Sequence, residues 1–108
     1  MTNQEIPGDA SPLACDLNQI IHSPKRLMTM ATLNTLAEAE FSYLSQRLEL
    51  ADSDVSKQMA TLKKAGLIVV RKTGGGRSGK TWYCLSPTGK KAFAEYRTTL
   101  RQIVDLEN

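Results

Sequence analysis

The chain has 108 residues, 41% hydrophobic and 23% charged, enough for one domain around one modest core and unlike a disordered or fibrous chain. No apolar run approaches the roughly 20 residues of a bilayer span. The acidic, polar opening Met1–Asp16 lacks the basic and long apolar regions of a secretory leader, so no membrane partner and a cytoplasmic setting are expected. Two cysteines, Cys15 and Cys84, are too few for a disulfide framework and agree with a reducing compartment. The net charge of +3 conceals an asymmetry: residues 1–56 hold three basic and eight acidic side chains, residues 57–108 eleven basic and three acidic. A cationic half of this kind points to a polyanion, most commonly nucleic acid, or else is a solubilising surface.

Residues 1–12, with Pro7, Gly8 and Pro12, read as a flexible tail ahead of a single domain over 13–108. Leu13, Leu17, Ile20 and Ile21 fall at helical spacing and predict a short amphipathic helix. Ser23-Pro24 opens the next one, a cap followed by proline at the first helical position, where its missing N–H costs nothing. That helix should carry Leu27, Met30, Ala31 and Leu33 inward and end near Asn34. Phe41, with Ser42 as cap and Leu44 and Leu48 on one face, predicts a two-turn helix, and Leu50 falls in the connection after it. Another helix starts near Asp52 and stops at Gly66, a residue suited to the left-handed helix end. Its apolar stripe, Val55, Met59 and Leu62, is narrow. At about 100° per residue, Ser53, Lys57, Ala60, Thr61 and Lys64 point away from it.

Leu67–Thr73, rich in β-branched residues, and Thr81–Leu85, with Trp82 and Tyr83, predict a hairpin around the glycine-rich stretch Gly74–Lys80. After Ser86-Pro87 a last helix carries Phe93, Tyr96, Leu100, Ile103 and Val104 on one side. This is more apolar helix surface than one small core readily covers. Together with Leu17 and Ile20 it predicts a contact with a second copy of the chain, the alternative being a first helix folded back over it.

The run from Gly74 to Thr81 satisfies the phosphate-loop pattern G-x-x-x-x-G-K-[ST]. That chemistry needs the loop to open a helix, whose N–H groups and dipole hold the phosphates. Here Trp82, Tyr83 and Cys84 favour a strand, and no apolar strand ends in an aspartate to help hold magnesium. The loop therefore reads as a basic hairpin tip, with nucleotide hydrolysis ranked last among the functions. His22, the only histidine, reads as a solvated or capping side chain and leaves no Ser-His-Asp set. Cys15 and Cys84 cannot supply a four-ligand soft-metal site, so neither metal nor cofactor is expected. The thiols read as packed side chains, with a Cys15–Cys84 switch as the alternative, and Met28, Met30 and Met59 read as core filler.

The helices Ser42–Glu49 and Asp52–Ala65, joined by three or four residues, have the proportions of a helix-turn-helix, or of two surface helices in a bundle. In the first reading the second helix lies in a major groove about 12 Å wide. Lys57 then suits guanine or phosphate, Gln58 adenine, Ser53 and Ser56 phosphates, and Asp54 cytosine or a capping role, with Thr61 and Lys64 further along. A basic tip with Arg77 and Lys80 directly after that helix suits a wing in the minor groove or on the backbone beside it, with Arg71 and Lys72 on its rising strand. Two basic devices in this order favour the DNA reading over the bundle.

The segments His22-Ser-Pro-Lys-Arg-Leu27, Phe41-x-x-Leu44, Leu48-x-Leu50, Val55-Ser-Lys57, Leu62-Lys-Lys-Ala-Gly-Leu67 and Thr81 to Leu85-Ser-Pro-Thr-Gly89-Lys-Lys-Ala-Phe93 resemble the winged-helix transcriptional regulators of the MarR/ArsR kind. The resemblance covers about residues 17–100 and is nearest to the compact branch with a single C-terminal helix. It implies an α+β, mainly helical winged helix-turn-helix with a C-terminal dimerisation helix, and a non-enzymatic, homodimeric, sequence-specific DNA-binding regulator. Asp52–Ala65 would be the reader and Gly74–Gly79 the wing. Position 51, where that family usually has a capping Ser or Thr, is Ala51, and Asp52 is expected to take over the cap. The two readers of a dimer would sit one helical turn apart, roughly 34 Å, on a palindromic operator in double-stranded DNA. A small-molecule effector would use the cleft between subunits. The alternative function is a protein–protein adaptor whose basic face pairs with an acidic protein.

Overall fold

The computed structural model describes residues 17–106, and the expected tail over 1–12, Leu13 and Cys15 lie outside the described residues. The elements run α1 (Pro24–Asn34), β1 (Ala39–Glu40), α2 (Phe41–Leu48), α3 (Asp52–Lys64), β2 (Ile68–Thr73), β3 (Lys80–Leu85) and α4 (Pro87–Val104). The three strands form one antiparallel sheet in the order β1-β3-β2. Mainly helical and with a single small sheet, the chain has the α+β winged helix-turn-helix architecture expected from its sequence.

Residues 17–23 form turns rather than the anticipated helix. The Asn18 side-chain oxygen accepts from the Ile20 and Ile21 amides at 2.9 and 3.1 Å, giving the backbone a local alternative to helical bonding. Leu17 and Ile21 enter the core all the same. Helix α1 starts at Pro24 after an extended Ser23, whose side chain makes no cap bond. Met30 and Leu33 point inward as expected, but Ala31 is exposed and Thr29 is buried in its stead. The Thr29 hydroxyl donates to the Lys25 carbonyl at 2.8 Å, so its burial leaves no donor unpaired.

Helix α2 begins at Phe41, one residue ahead of the expected cap at Ser42, because Glu40 is still held in β1 opposite Trp82. A two-residue strand has no periodicity of its own, which is why β1 escapes a sequence reading. Helix α2 ends at Leu48 and is capped by Glu49, in the left-handed region at φ 56°, and three residues after this cap α3 begins. Ala51 occupies the N-cap position without a capping side chain, and Asp52 is the first helical residue rather than the cap. Its carboxylate instead lies 2.8 Å from the Ser45 hydroxyl, which also lies 2.8 Å from the Leu50 carbonyl and shares its proton across the turn. Asp52 and Asp54 in the first turn and Lys63 and Lys64 in the last all complement the helix dipole. The chain leaves α3 through Gly66 at φ 77°.

Strands β2 and β3 pair from Ile68 opposite Leu85 to Thr73 opposite Lys80, with a single 3₁₀ turn, Gly76–Ser78, at the tip. A strand, not a helix, thus follows Lys80, and the phosphate-loop pattern lacks the helix N-terminus its chemistry needs. At the start of α4 the Ser86 hydroxyl accepts from the Gly89 amide and donates to the Gly66 carbonyl, at 2.8 and 2.7 Å. Gly89 lies so close to β2 that a Cβ there would sit 1.9 Å from the Leu67 carbonyl oxygen. Only glycine allows this approach.

The core gathers Ile21, Met30, Leu33, Leu44, Val55 and Leu62 at its centre. Leu17, Phe93 and Tyr96, expected at a subunit contact, are already only 5%, 5% and 2% exposed within one chain. The 17–23 segment folds back against α4, with the His22 Nδ1 2.8 Å from the Tyr96 hydroxyl and the two rings tilted at a centroid distance of 5.9 Å. Ile20, Leu100 and Ile103 are half-buried against the core, while Val104 and Leu106 are 66% and 58% exposed. Among the described residues no helix is long and apolar enough to cross a membrane.

Candidate nucleic-acid interface

Helix α3 presents four sides with four different surroundings. Val55, Met59 and Leu62 face the core. Opposite them Ser53, Lys57, Ala60 and Lys64 are exposed, and Thr61 is half-buried with its hydroxyl donating to the Lys57 carbonyl at 3.2 Å. That outward face is the one expected from the angular spacing.

One flank of α3 looks onto the hairpin. Ser56, Met59, Ala60 and Lys63 line an open groove of about 340 Å³ whose far side is Val70, Lys72, Thr81 and Tyr83 and whose end is Phe41. Lys72 and Thr81 are cross-strand partners and therefore share one face of the hairpin, as do Val70 and Tyr83 behind them. The groove has an aromatic and aliphatic floor, with the Phe41 and Tyr83 rings tilted at a centroid distance of 6.4 Å. Its rim carries two ammonium groups and two hydroxyls. Burial pushes the Tyr83 phenol above its ordinary pKa, so it stays neutral beneath them.

The other flank is tied to α1. Lys25 pairs with one oxygen of Asp54, and the Gln58 amide donates to the other at 3.0 Å. The Gln58 side-chain oxygen accepts from Arg26 Nη1 at 2.9 Å, and Arg26 Nε donates to the Ile20 carbonyl. Bonding from Lys25, then from Gln58, holds the Asp54 carboxyl below the usual carboxylate range. Gln58, expected to read adenine, is only 6% exposed, and its amide is spent inside the fold on Arg26 and Asp54. Asp54 likewise has both oxygens engaged by protein donors, Lys25 and Gln58, and does not cap α3. The signal was present in the spacing, because about 100° per residue sets Gln58 nearer the apolar stripe than the outward face. A second signal lies in Lys25 and Arg26 themselves. Two cations in the first turn of a helix oppose its dipole, which marks them as held by a tertiary partner.

At the wing, Arg77 and Lys80 are exposed at and beside the tip. Arg71 is differently employed. Its guanidinium makes two bonds to Glu38, at 2.8 and 2.7 Å, and lies 5.6 Å above the Trp82 ring. Trp82 in turn donates to the Thr73 hydroxyl at 3.3 Å. The bidentate bond lowers the Glu38 pKa and raises that of Arg71. Arg71 thus braces the base of the wing against the segment before β1. Cys84 is a free, half-buried thiol, and the other member of the envisaged switch, Cys15, lies outside the described residues. Among the described residues no three His, Cys, Asp or Glu side chains come together as a metal site.

A two-helix motif whose second helix is flanked by a cationic hairpin defines the winged helix-turn-helix class. The winged helix DNA-binding domain family matches residues 25–104, and the chain belongs to that family. Among solved structures, a transcriptional regulator homologue from Pyrococcus horikoshii OT3 is similar at 22% identity, with a TM-score of 0.78 over 84% of this chain and 90% of that one. HlyU from Vibrio cholerae N16961 is 28% identical, with a TM-score of 0.61 over 70% of this chain and 78% of its own. MepR of S. aureus, solved in complex with DNA, is 15% identical, with a TM-score of 0.67 over 82% and 73%. Comparison with curated proteins gives no match.

Proposed function

We propose that two copies of this chain bind a palindromic operator in cytoplasmic double-stranded DNA, each laying the outward face of α3 in the major groove and its wing on the adjacent minor groove or backbone. The observation that carries this reading is the distribution of unpaired cations. Among the described residues the ion pairs engage only Lys25 and Arg71. Lys57, Lys63, Lys64, Lys72, Arg77 and Lys80 are left around α3, the groove and the wing, all exposed. Ser53, Ser56, Lys57, Thr61 and Lys64 then supply contacts from the helix, and Arg77 and Lys80 from the wing. The DNA-bound structure of MepR, with the same fold, supports the docking.

The partner subunit would meet the C-terminal part of α4, where Leu100 and Ile103 are half-buried and Val104 and Leu106 exposed. Beside it an apolar hollow of about 350 Å³, walled by His22, Ser23, Pro24, Leu27, Met28 and Tyr96, is the place for a small apolar effector. The test is selection of bound sequences from random duplex DNA, with sedimentation of the free protein. Enrichment of an inverted repeat with half-site centres about 10 base pairs apart supports the reading. A sedimenting monomer that enriches no sequence refutes it, and Val104→Asp should shift the wild-type dimer toward monomer.

A further inference from the structure

We infer that Arg26 and Gln58, with Lys25 and Asp54, form a clamp between α1 and α3 that sets the rotation of the reading helix about its own axis, making Gln58 a positioning residue that never touches a base. The inference rests on the DNA-binding reading above. What α3 turns toward the core is a narrow stripe of Val55, Met59 and Leu62. Apolar burial is non-directional and tolerates a small roll of the helix. Hydrogen bonds do not. The Gln58 amide is used at both ends and in different directions, its oxygen by Arg26 and its nitrogen by Asp54. Arg26 is itself anchored on the Ile20 carbonyl, and Asp54 on Lys25, so the clamp is grounded outside α3 on both sides.

The magnitude decides the matter. A roll of about 20° moves a side-chain tip 5–6 Å from the helix axis by about 2 Å. Hydrogen bonds occupy a window of only about 2.7–3.2 Å. The same roll therefore breaks the clamp and takes Lys57, Thr61 and Lys64 off their partners together. Lys25 has a second effect: by pairing with Asp54 it offsets a carboxylate that would otherwise face phosphates from the first turn of the reader.

The test compares the wild type, Gln58→Leu and the exchanged pair Asp54→Asn with Gln58→Glu, using random-duplex selection and titration against the selected operator and an unrelated duplex. The exchange reverses donor and acceptor across the 54–58 bond while residue 58 keeps an oxygen to accept from Arg26. Gln58→Leu should keep its affinity for unrelated DNA and lose on the order of tenfold or more of the operator preference, which is roughly 10³–10⁷ for specific binders. That loss should spread over every position of the half-site, and the exchanged pair should recover most of it. A preference altered at one base pair only would make Gln58 a base reader and overturn the inference. So would an unchanged operator preference in protein that melts above the assay temperature. Should Gln58→Leu not fold, Arg26→Met carries the same readout from the other end of the clamp. A wild type that selects no sequence defeats the DNA-binding reading itself, before any variant is compared.

Discussion

Salt is the sharpest probe of the proposed interface, because its effect scales with the number of phosphates neutralised. Around α3, the groove and the wing, six exposed cations per chain, Lys57, Lys63, Lys64, Lys72, Arg77 and Lys80, have no ion-pair partner among the described residues, and a dimer doubles them. If half of that total meets phosphate, log K should fall against log salt with a slope of about −5, at about −0.9 per contact. Between about 50 and 200 mM salt the affinity then drops roughly 10³-fold. Replacing Arg77 and Lys80 by Ala removes up to four of these contacts per dimer and should flatten the slope by about 3 to 4. Fluorescence anisotropy of a labelled duplex, titrated at five or so salt concentrations, reads both slopes. A wild-type slope near zero would refute the electrostatic reasoning outright, and a wing variant with an undiminished slope would remove the wing from the interface.

Three further outcomes follow from the packing. Gly89→Ala drives a methyl group to within 1.9 Å of the Leu67 carbonyl oxygen. It should cost about 1–3 kcal/mol or more, seen as a melting midpoint lowered by several degrees; an unchanged midpoint would mean α4 shifts freely off β2. Arg71→Met should leave the salt slope unaltered, because that guanidinium is committed to Glu38 and Trp82, while hydrogen exchange quickens at the base of the wing. A slope reduced by one or two would show that Arg71 meets phosphate. Acid weakens the clamp in a definite direction: the Asp54 pKa is depressed in the folded chain, so its stabilisation is complete above the ordinary carboxyl value of about 4 and is lost as pH falls below it. Denaturant titrations from pH 6 to 3 should show this loss diminished in Asp54→Asn, and equal losses in both proteins would contradict the assignment.

Much of the candidate site was legible in the residues. The outward face of α3 came from angular spacing, and the wing from glycines and cations between two β-branched runs. What the spacing could not supply was the set of tertiary neighbours. Gln58 looks like a base reader until Arg26, 32 residues away, takes its oxygen, and Arg71 looks like a free cation until Glu38, 33 residues away, accepts from two of its N–H groups. His22 and Tyr96, 74 residues apart, seal part of the stripe that seemed to await a second subunit.

The sequence by itself determined the helices α1 to α4, the hairpin and their order, since apolar periodicity, helix-opening prolines and turn glycines act over a few residues. It determined as well that the cations gather in the second half of the chain. Tertiary structure alone decided the two-residue strand β1, the turn that replaces a helix at 17–23, the flank on which α3 is clamped and which apolar side chains of α4 stay uncovered. Each of these depends on a partner brought close only when distant segments pack, and a one-dimensional pattern does not encode that distance.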